Sequence, residues 1–246
     1  MVGLMSDIGN IRKLNEDSMG YHEDSIKKVY IVADGMGGHN AGEIASKIAV
    51  EKVIEYLNSL QSIEDAQEAI KSAIEFSNKQ IYEFSQSNAV LNGMGTTITA
   101  CLLVENKMVV ANVGDSRCYI ISKDRLVQVT KDHSLVQQLV DNGSITAEEA
   151  AAHPNKNIIT RSLGTAPVVD VDTYVLDLQH INKVLLCTDG LSNSLTEDEI
   201  YNIVIENTNQ DACNKLIEIS KQNGGRDNIT VIIFEGECKN DRNFIR

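Results

Sequence analysis

Two kinds of apolar pattern divide the chain. Val29–Ala33, Met108–Val113, Val184–Thr188 and Ile229–Phe234 are short runs rich in β-branched and apolar residues. They read as strands buried on both faces. Gly42 to Leu60 instead sets Ile44, Ile48, Val53, Leu57 and Leu60 along one helical face. A second helix is expected to open at Ser62, with Glu64 and Asp65 in a first turn where negative charge suits the dipole. Its core face would be Ala66, Ile70, Ala73, Ser77, Ile81 and Phe84.

From Gly95 to Val129 the pattern returns to strands: TTITACLLV, KMVVANV, RCYIIS and RLVQV, joined by links of a few residues. Such links cannot carry parallel crossovers, so they predict an antiparallel meander. Ser134–Asn142 reads as a short helix stopped by Gly143. Thr146-x-x-Glu149 and Thr196-x-x-Glu199 are capping boxes. His153–Asn157 reads as an exposed loop, Val171–Leu178 and Lys183–Thr188 as strands, and Asp211–Asn223 as a helix. The first 33 residues hold two short strands and a loop ahead of the strand at Val29. Strands and helices are segregated, which predicts an α+β fold with helices packed outside antiparallel sheets. With two prolines, Pro154 and Pro167, and no repeat or linker, residues 1–246 read as one domain. Residues 236–246 form a polar tail with the composition of disorder.

Several strands end in the same way. Residues 28–43 read KVYIVADGMGGHNAGE, so the strand runs straight into Asp34 and glycines. Val184–Thr188 runs into Asp189-Gly190, and Met108–Val113 into Gly114-Asp115. Gly224-Gly225-Arg226-Asp227-Asn228 leads into the last strand, so Asp227 stands at a strand start. Each alone reads as a turn. In an antiparallel sheet, however, one strand's start lies beside its neighbour's end, so the four aspartates can meet at one rim.

Charge and composition narrow the options. A formal net charge of -13 opposes a nucleic-acid partner. Solubility accounts for most of it, and a clustered minority of the acids remains available for a cation. No apolar run approaches the ~20 residues of a membrane helix, and no signal peptide is visible. Cys101, Cys118, Cys187, Cys213 and Cys238 form no C-x-x-C pair and suit a reducing cytoplasm. A G-x-G-x-x-G fingerprint fails at Asn40, and neither a Walker lysine, an EF-hand spacing nor a G-x-S-x-G elbow occurs. What remains is an oxygen-only set, suited to Mg²⁺ or Mn²⁺. Two such ions would cancel the repulsion of clustered carboxylates and suit in-line attack on phosphorus by a bridging water. In SDIGNIRKLNEDS (residues 6–18), Arg12 has the planar fork to bind phosphate, and Glu16 and Asp17 could hold metal-bound waters. Taken singly, these three read as a surface arginine and a loop pair.

Eight ordered blocks, SDIGNIRKLNEDS, VADGMGGHNAGE, GMGTTITA, NVGDSRCYI, KDHSLV, ITRSLG, LLCTDGLSN and GGRDNITVI, resemble the metal-dependent protein serine/threonine phosphatases of type 2C in their compact bacterial form. The resemblance implies a four-layer α-β-β-α sandwich with a cleft at one edge of two central antiparallel sheets. It implies that Asp34 bridges two Mn²⁺ or Mg²⁺ ions, with Asp189 and Asp227 on the first and the Gly35 carbonyl on the second. Asp115, with Asp189, would hold a weaker third ion. Arg12 would clamp the substrate phosphate, and Glu16, Asp17 and Asn228 would support the ligands from behind. Residues 134–166 would form a flap. Where animal members carry the presumed acid, this chain has Met36, so His39 or a metal-bound water would protonate the leaving oxygen. His133 and His153 receive no role. The implied partners are phosphorylated proteins, products of a serine/threonine kinase, met by a monomer in the cytoplasm without nucleic acid or membrane. Two other readings stand beside this one: a non-catalytic regulatory binding module on the same fold, and a two-metal nuclease, which the acidic charge opposes.

Overall fold

The computed structural model describes residues 1–37, 41–87 and 89–236. Strands β1 (Gly3–Asp7), β2 (Asp17–Glu23) and β3 (Lys28–Met36) precede two long helices, α1 (Ala41–Ser59) and α2 (Ala66–Ser87). Then come β4 (Gly95–Thr96), β5 (Ile98–Val104), β6 (Lys107–Val113), β7 (Arg117–Ile121) and β8 (Leu126–Gln128). Helices α3 (Leu135–Asp141) and α4 (Ala147–Ala151) lead to β9 (Asp172–Asp177) and β10 (Lys183–Cys187). Helices α5 (Asp189–Ser192), α6 (Glu197–Glu206) and α7 (Asn209–Gln222) and strand β11 (Ile229–Glu235) complete the order.

The strands form two antiparallel sheets, ordered β1-β11-β10-β7-β8 and β2-β3-β5-β6-β9, with β4 beside β3. Alternating side chains explain the uninterrupted apolar runs, since each strand is covered on both faces. Val32, Cys101 and Val110 of one sheet pack against Cys118, Leu186 and Ile232 of the other. On the far side, Ile31, Ala100 and Ala111 meet Val53 and Leu57 of α1 and Ile70 and Ile74 of α2. The other sheet turns Leu185 and Ile233 outward to Val204 of α6 and Leu216 of α7. The layers therefore run α-β-β-α, as expected.

Three local expectations are corrected. The four strands from Gly95 to Val129 are not one meander. β5 and β6 pair in one sheet, while β7 and β8 pair in the other. The chain crosses between sheets at Gly114-Asp115-Ser116, where Gly114 has φ +112° and a Cβ would meet the Thr97 side chain at 2.5 Å. A three-residue link enforces neither same-sheet pairing nor a crossover helix. The second helix begins at Ala66 rather than Ser62, because the Asp65 carboxylate accepts from the N–H groups of Gln67 (2.9 Å) and Glu68 (3.1 Å). Its buried face carries Ile74, Asn78 and Ser85, and Phe84 is 45% exposed. The capping boxes at Thr146 and Thr196 form as expected. Of the expected tail, only Gly236 is described; residues 237–246, with Cys238, lie outside the described residues.

Candidate active site

Asp34 stands near the end of β3, directly opposite Asp17 of β2. Paired positions point to the same face, so the two carboxylates are neighbours. The Asp34 backbone is fixed on both sides: its N–H donates to Thr97 Oγ1 (2.9 Å), and its carbonyl accepts from Thr97 N–H (2.8 Å) and Thr96 Oγ1 (2.9 Å). Asp189 lies two residues past the end of β10, after Thr188, and starts the helical turn α5. Asp227 precedes β11, and β11 lies beside β10. Asp115 comes from the crossover between sheets. The expected rim thus forms, with a fifth aspartate, Asp17, in it.

The electrostatics of the rim follow from this closeness. Burial, followed by the carboxylates of Asp17, Asp189, Asp115 and Asp227, pushes the Asp34 pKa well above the usual carboxylate range. Burial and the Asp189 and Asp132 carboxylates push Asp115 up to about 8. Burial and the Asp227 carboxylate push Asp189 up to about 6, against a hydrogen bond with Asp34. Asp17 is pushed up to about 7 by burial, although its Oδ2 accepts from Thr230 Oγ1 (2.7 Å) and Thr188 Oγ1 (2.9 Å). Like charges forced together hold protons or demand cations.

The residues fit a hard divalent cation. The donors are all oxygen. Oδ1 of Asp17, Asp115 and Asp189 are buried without a hydrogen-bond partner, which costs stability unless something binds them. Gly35 and Gly42 allow a close approach of backbone: a Cβ on Gly35 would meet Gly42 O at 2.2 Å and Glu16 O at 2.4 Å. Among the described residues no three His, Cys, Asp or Glu side chains already stand as a ligand set. Two ties engage rim carboxylates. Arg12 Nη2 holds Asp227 Oδ2 at 2.7 Å, and Asp34 and Asp189 hydrogen bond to each other.

Arg12 is half-exposed and charged, its pKa raised by the bond to Asp227. Asn228 pins its loop. Asn228 Oδ1 accepts from Glu16 N–H (2.8 Å), and Nδ2 donates to the carbonyls of Ile8 and Leu14 (both 3.0 Å). Glu16 accepts from the Gly42 N–H, and burial raises its pKa. His39 lies outside the described residues.

Three residues that shape the site carry no role in the sequence reading. Thr188 and Thr230 grip Asp17, and their signal was a lone hydroxyl in each otherwise apolar run, LLCTDG and NITVI. His133 locks the crossover that carries Asp115: Nδ1 accepts from Gly114 N–H (3.0 Å), leaving Nε2 to donate to Asp172 Oδ2 (3.1 Å). Burial lowers its pKa, in keeping with a neutral ring.

The chain is similar to known proteins in both sequence and fold. The family model for protein phosphatase 2C matches residues 12–224. The serine/threonine phosphatase stp of Listeria innocua is 41% identical over 235 residues, covering 94% of this chain and 93% of that protein. The crystal structure of Stp1 from Staphylococcus aureus superposes with a TM-score of 0.91 at 36% identity, covering 95% of this chain and 94% of that one. The catalytic domain of the serine threonine protein phosphatase PstP, in complex with 2 manganese ions, superposes with a TM-score of 0.82 at 32% identity, covering 95% and 96%. The chain belongs to the protein phosphatase 2C family, a metal-dependent one, and is a protein-serine/threonine phosphatase. No helix among the described residues is long and apolar enough to cross a membrane.

Proposed function

We propose that the chain, as one domain, hydrolyses phosphoserine and phosphothreonine in proteins with two Mn²⁺ or Mg²⁺ ions held at the aspartate rim. The observation that carries this is the meeting of five aspartates with three unpartnered buried oxygens. Asp34 would bind both ions, Asp189 and Asp227 the first, and the Gly35 carbonyl the second. Asp115 with Asp189 would take a weaker third. When bound, the ions would supply an activated water nucleophile and neutralise charge on the transferring phosphoryl group.

The protein's own side chains would do the rest. Arg12 would turn its planar fork from Asp227 to the phosphate oxygens, where two parallel N–H donors orient the group for attack. Asn228 would hold the Arg12 loop at its working distance. Glu16 and Asp17 would accept hydrogen bonds behind the ligands and keep the carboxylates aimed. The substrates would be products of serine/threonine kinases in a bacterial cytoplasm, which suits the four free, buried cysteines among the described residues. The chain would act as a monomer.

The test is phosphate release from a phosphothreonine peptide with Mn²⁺, with Mg²⁺ and with excess chelator, on the wild type and Asp189→Asn. We expect release that needs the cation and collapses in the variant, with weaker metal binding by calorimetry. Full release in chelator, or a fully active variant, would overturn the assignment.

A further inference from the structure

A cavity of about 570 Å³ opens from the aspartate rim, with Asp115 and Asp189 in its wall, and runs between the flap helices and the start of α6. Its walls are chemically unlike. On the flap side it is lined by Val136 and Val140 of α3 and by Ala147 and Ala150 of α4, with Leu195 opposite. Neither flap helix buries a single residue, and none of the three core clusters contains a residue of either. The apolar face of α3 is therefore half-open and directed at the groove rather than at a core. At the α6 side stand Glu197 and Glu199. Glu199 is engaged in the capping box with Thr196, which leaves Glu197 as the uncommitted carboxylate of that wall. Asp132, also in the wall, is neutralised by Arg117, whose Nη2 reaches it at 2.7 Å. Lys156 is the other cation there.

Continuity with the rim says what enters. Once a phosphoresidue's phosphate lies against Arg12 and the aspartates, the polypeptide on one side of it must leave through an exit of this kind. We infer that this groove reads that flanking segment, taking an aliphatic side chain against Val136, Val140 and Ala150 and a basic side chain beside Glu197. The chemistry is complementary on both counts: half-exposed apolar surface gains by covering, and a carboxylate in a chain of net charge -13 favours a cationic partner. The substrate class is then phosphoserine and phosphothreonine segments with a nearby leucine-like residue and a nearby lysine or arginine. This rests on the phosphatase reading above and refines it.

The experiment measures kcat/KM on matched phosphothreonine peptides in which single flanking positions carry Leu or Ser, and Arg or Glu, with p-nitrophenyl phosphate as a substrate too small to enter the groove. Wild type, Glu197→Lys and Val140→Asp are compared. We expect wild type to prefer Arg over Glu at one flanking position by roughly tenfold, and Leu over Ser at another by roughly tenfold. Glu197→Lys should reverse the first preference alone, and Val140→Asp should erase the second alone. Both variants should keep wild-type rates on p-nitrophenyl phosphate. Flat preferences, or preferences that survive both substitutions, overturn the groove assignment while leaving the phosphatase reading intact. Absence of cation-dependent release from p-nitrophenyl phosphate by wild type would overturn that reading and this inference with it. Should Val140→Asp fail to fold, Val136→Ser makes the same comparison at the neighbouring position.

Discussion

The aspartate rim and the proposed flap (residues 134–166) face each other across one cleft and are built in opposite ways. The rim hangs on strand ends whose neighbours fill three stacked clusters, and its backbone is tied at each point: Thr97 on Asp34, His133 on the Asp115 turn, Asn228 on the Arg12 loop. The flap is two short helices closed by their own caps, Ser134 and Thr146. It is fastened by a few backbone bonds, such as Leu135 N–H to Ile158 O (2.9 Å) and Thr160 N–H to His133 O (2.8 Å). Carboxylates that repel must be held by a structure that does not yield, whereas a surface that meets different polypeptides gains from yielding. Local stability should follow the same division.

The largest effect that separates the two regions is chemical. Asp34→Asn should lower cation-dependent phosphate release more than about 100-fold, beyond the loss typical of residues behind the ligands. In chelator the same variant should melt higher than wild type, because a buried carboxyl that must either hold a proton or repel its neighbours is gone. A lower melting temperature would mean that Asp34 serves the scaffold instead.

Next comes packing. Ile232→Ala, between the sheets, should cost about 2–5 kcal/mol in urea unfolding, and Val140→Ala on the flap less than about 1 kcal/mol. Equal costs would erase the distinction drawn here.

The pH response in chelator is smaller. The folded-state values of Asp17 (about 7), Asp115 (about 8) and Asp189 (about 6) lie above the ordinary carboxylate value. The folded state therefore binds more protons than the unfolded one between about pH 4 and about pH 8, and stability falls as pH rises through that window. The melting temperature should drop by roughly 5–10 °C across it; a rise would contradict the sign. Saturating Mn²⁺ should flatten the curve.

The smallest effect belongs to the flap. Thr146→Ala removes a cap worth about 1 kcal/mol. Hydrogen exchange should quicken over residues 147–151 and stay unchanged in β10 and β11. Faster exchange throughout would show that the flap and the sheets open together.

Much of this was written in local pattern. Buried strands announce themselves by unbroken apolar runs, and the aspartates flanking four of them are visible without coordinates. Caps are equally local, so Thr146, Gly143 and Thr196 fell where expected. What escaped depends on partners distant in sequence. Whether β7 joins the sheet of β6 is decided by β10, dozens of residues later. Asp17 looked like half of a loop pair until Thr188 and Thr230 closed on it. Phe84 fits a helical face by spacing, but the buried positions around it are Ile81 and Ser85, and its ring is 45% exposed. The Arg12–Asp227 pair joins opposite ends of the chain and has no local signal.

Strand β11 sits inside its sheet, between β1 and β10, and Asp227 lies two residues before it. During synthesis, β1 and β10 have no common neighbour until residues 229–235 leave the ribosome. The half of the sandwich containing β7 and β8 must wait unclosed, and the rim lacks one of its carboxylates for the same interval. A nascent chain stopped short of that strand would have the helices of the other half in place and yet be unable to process a phosphoprotein. Emergence of β11 is thus also the moment at which the rim can close.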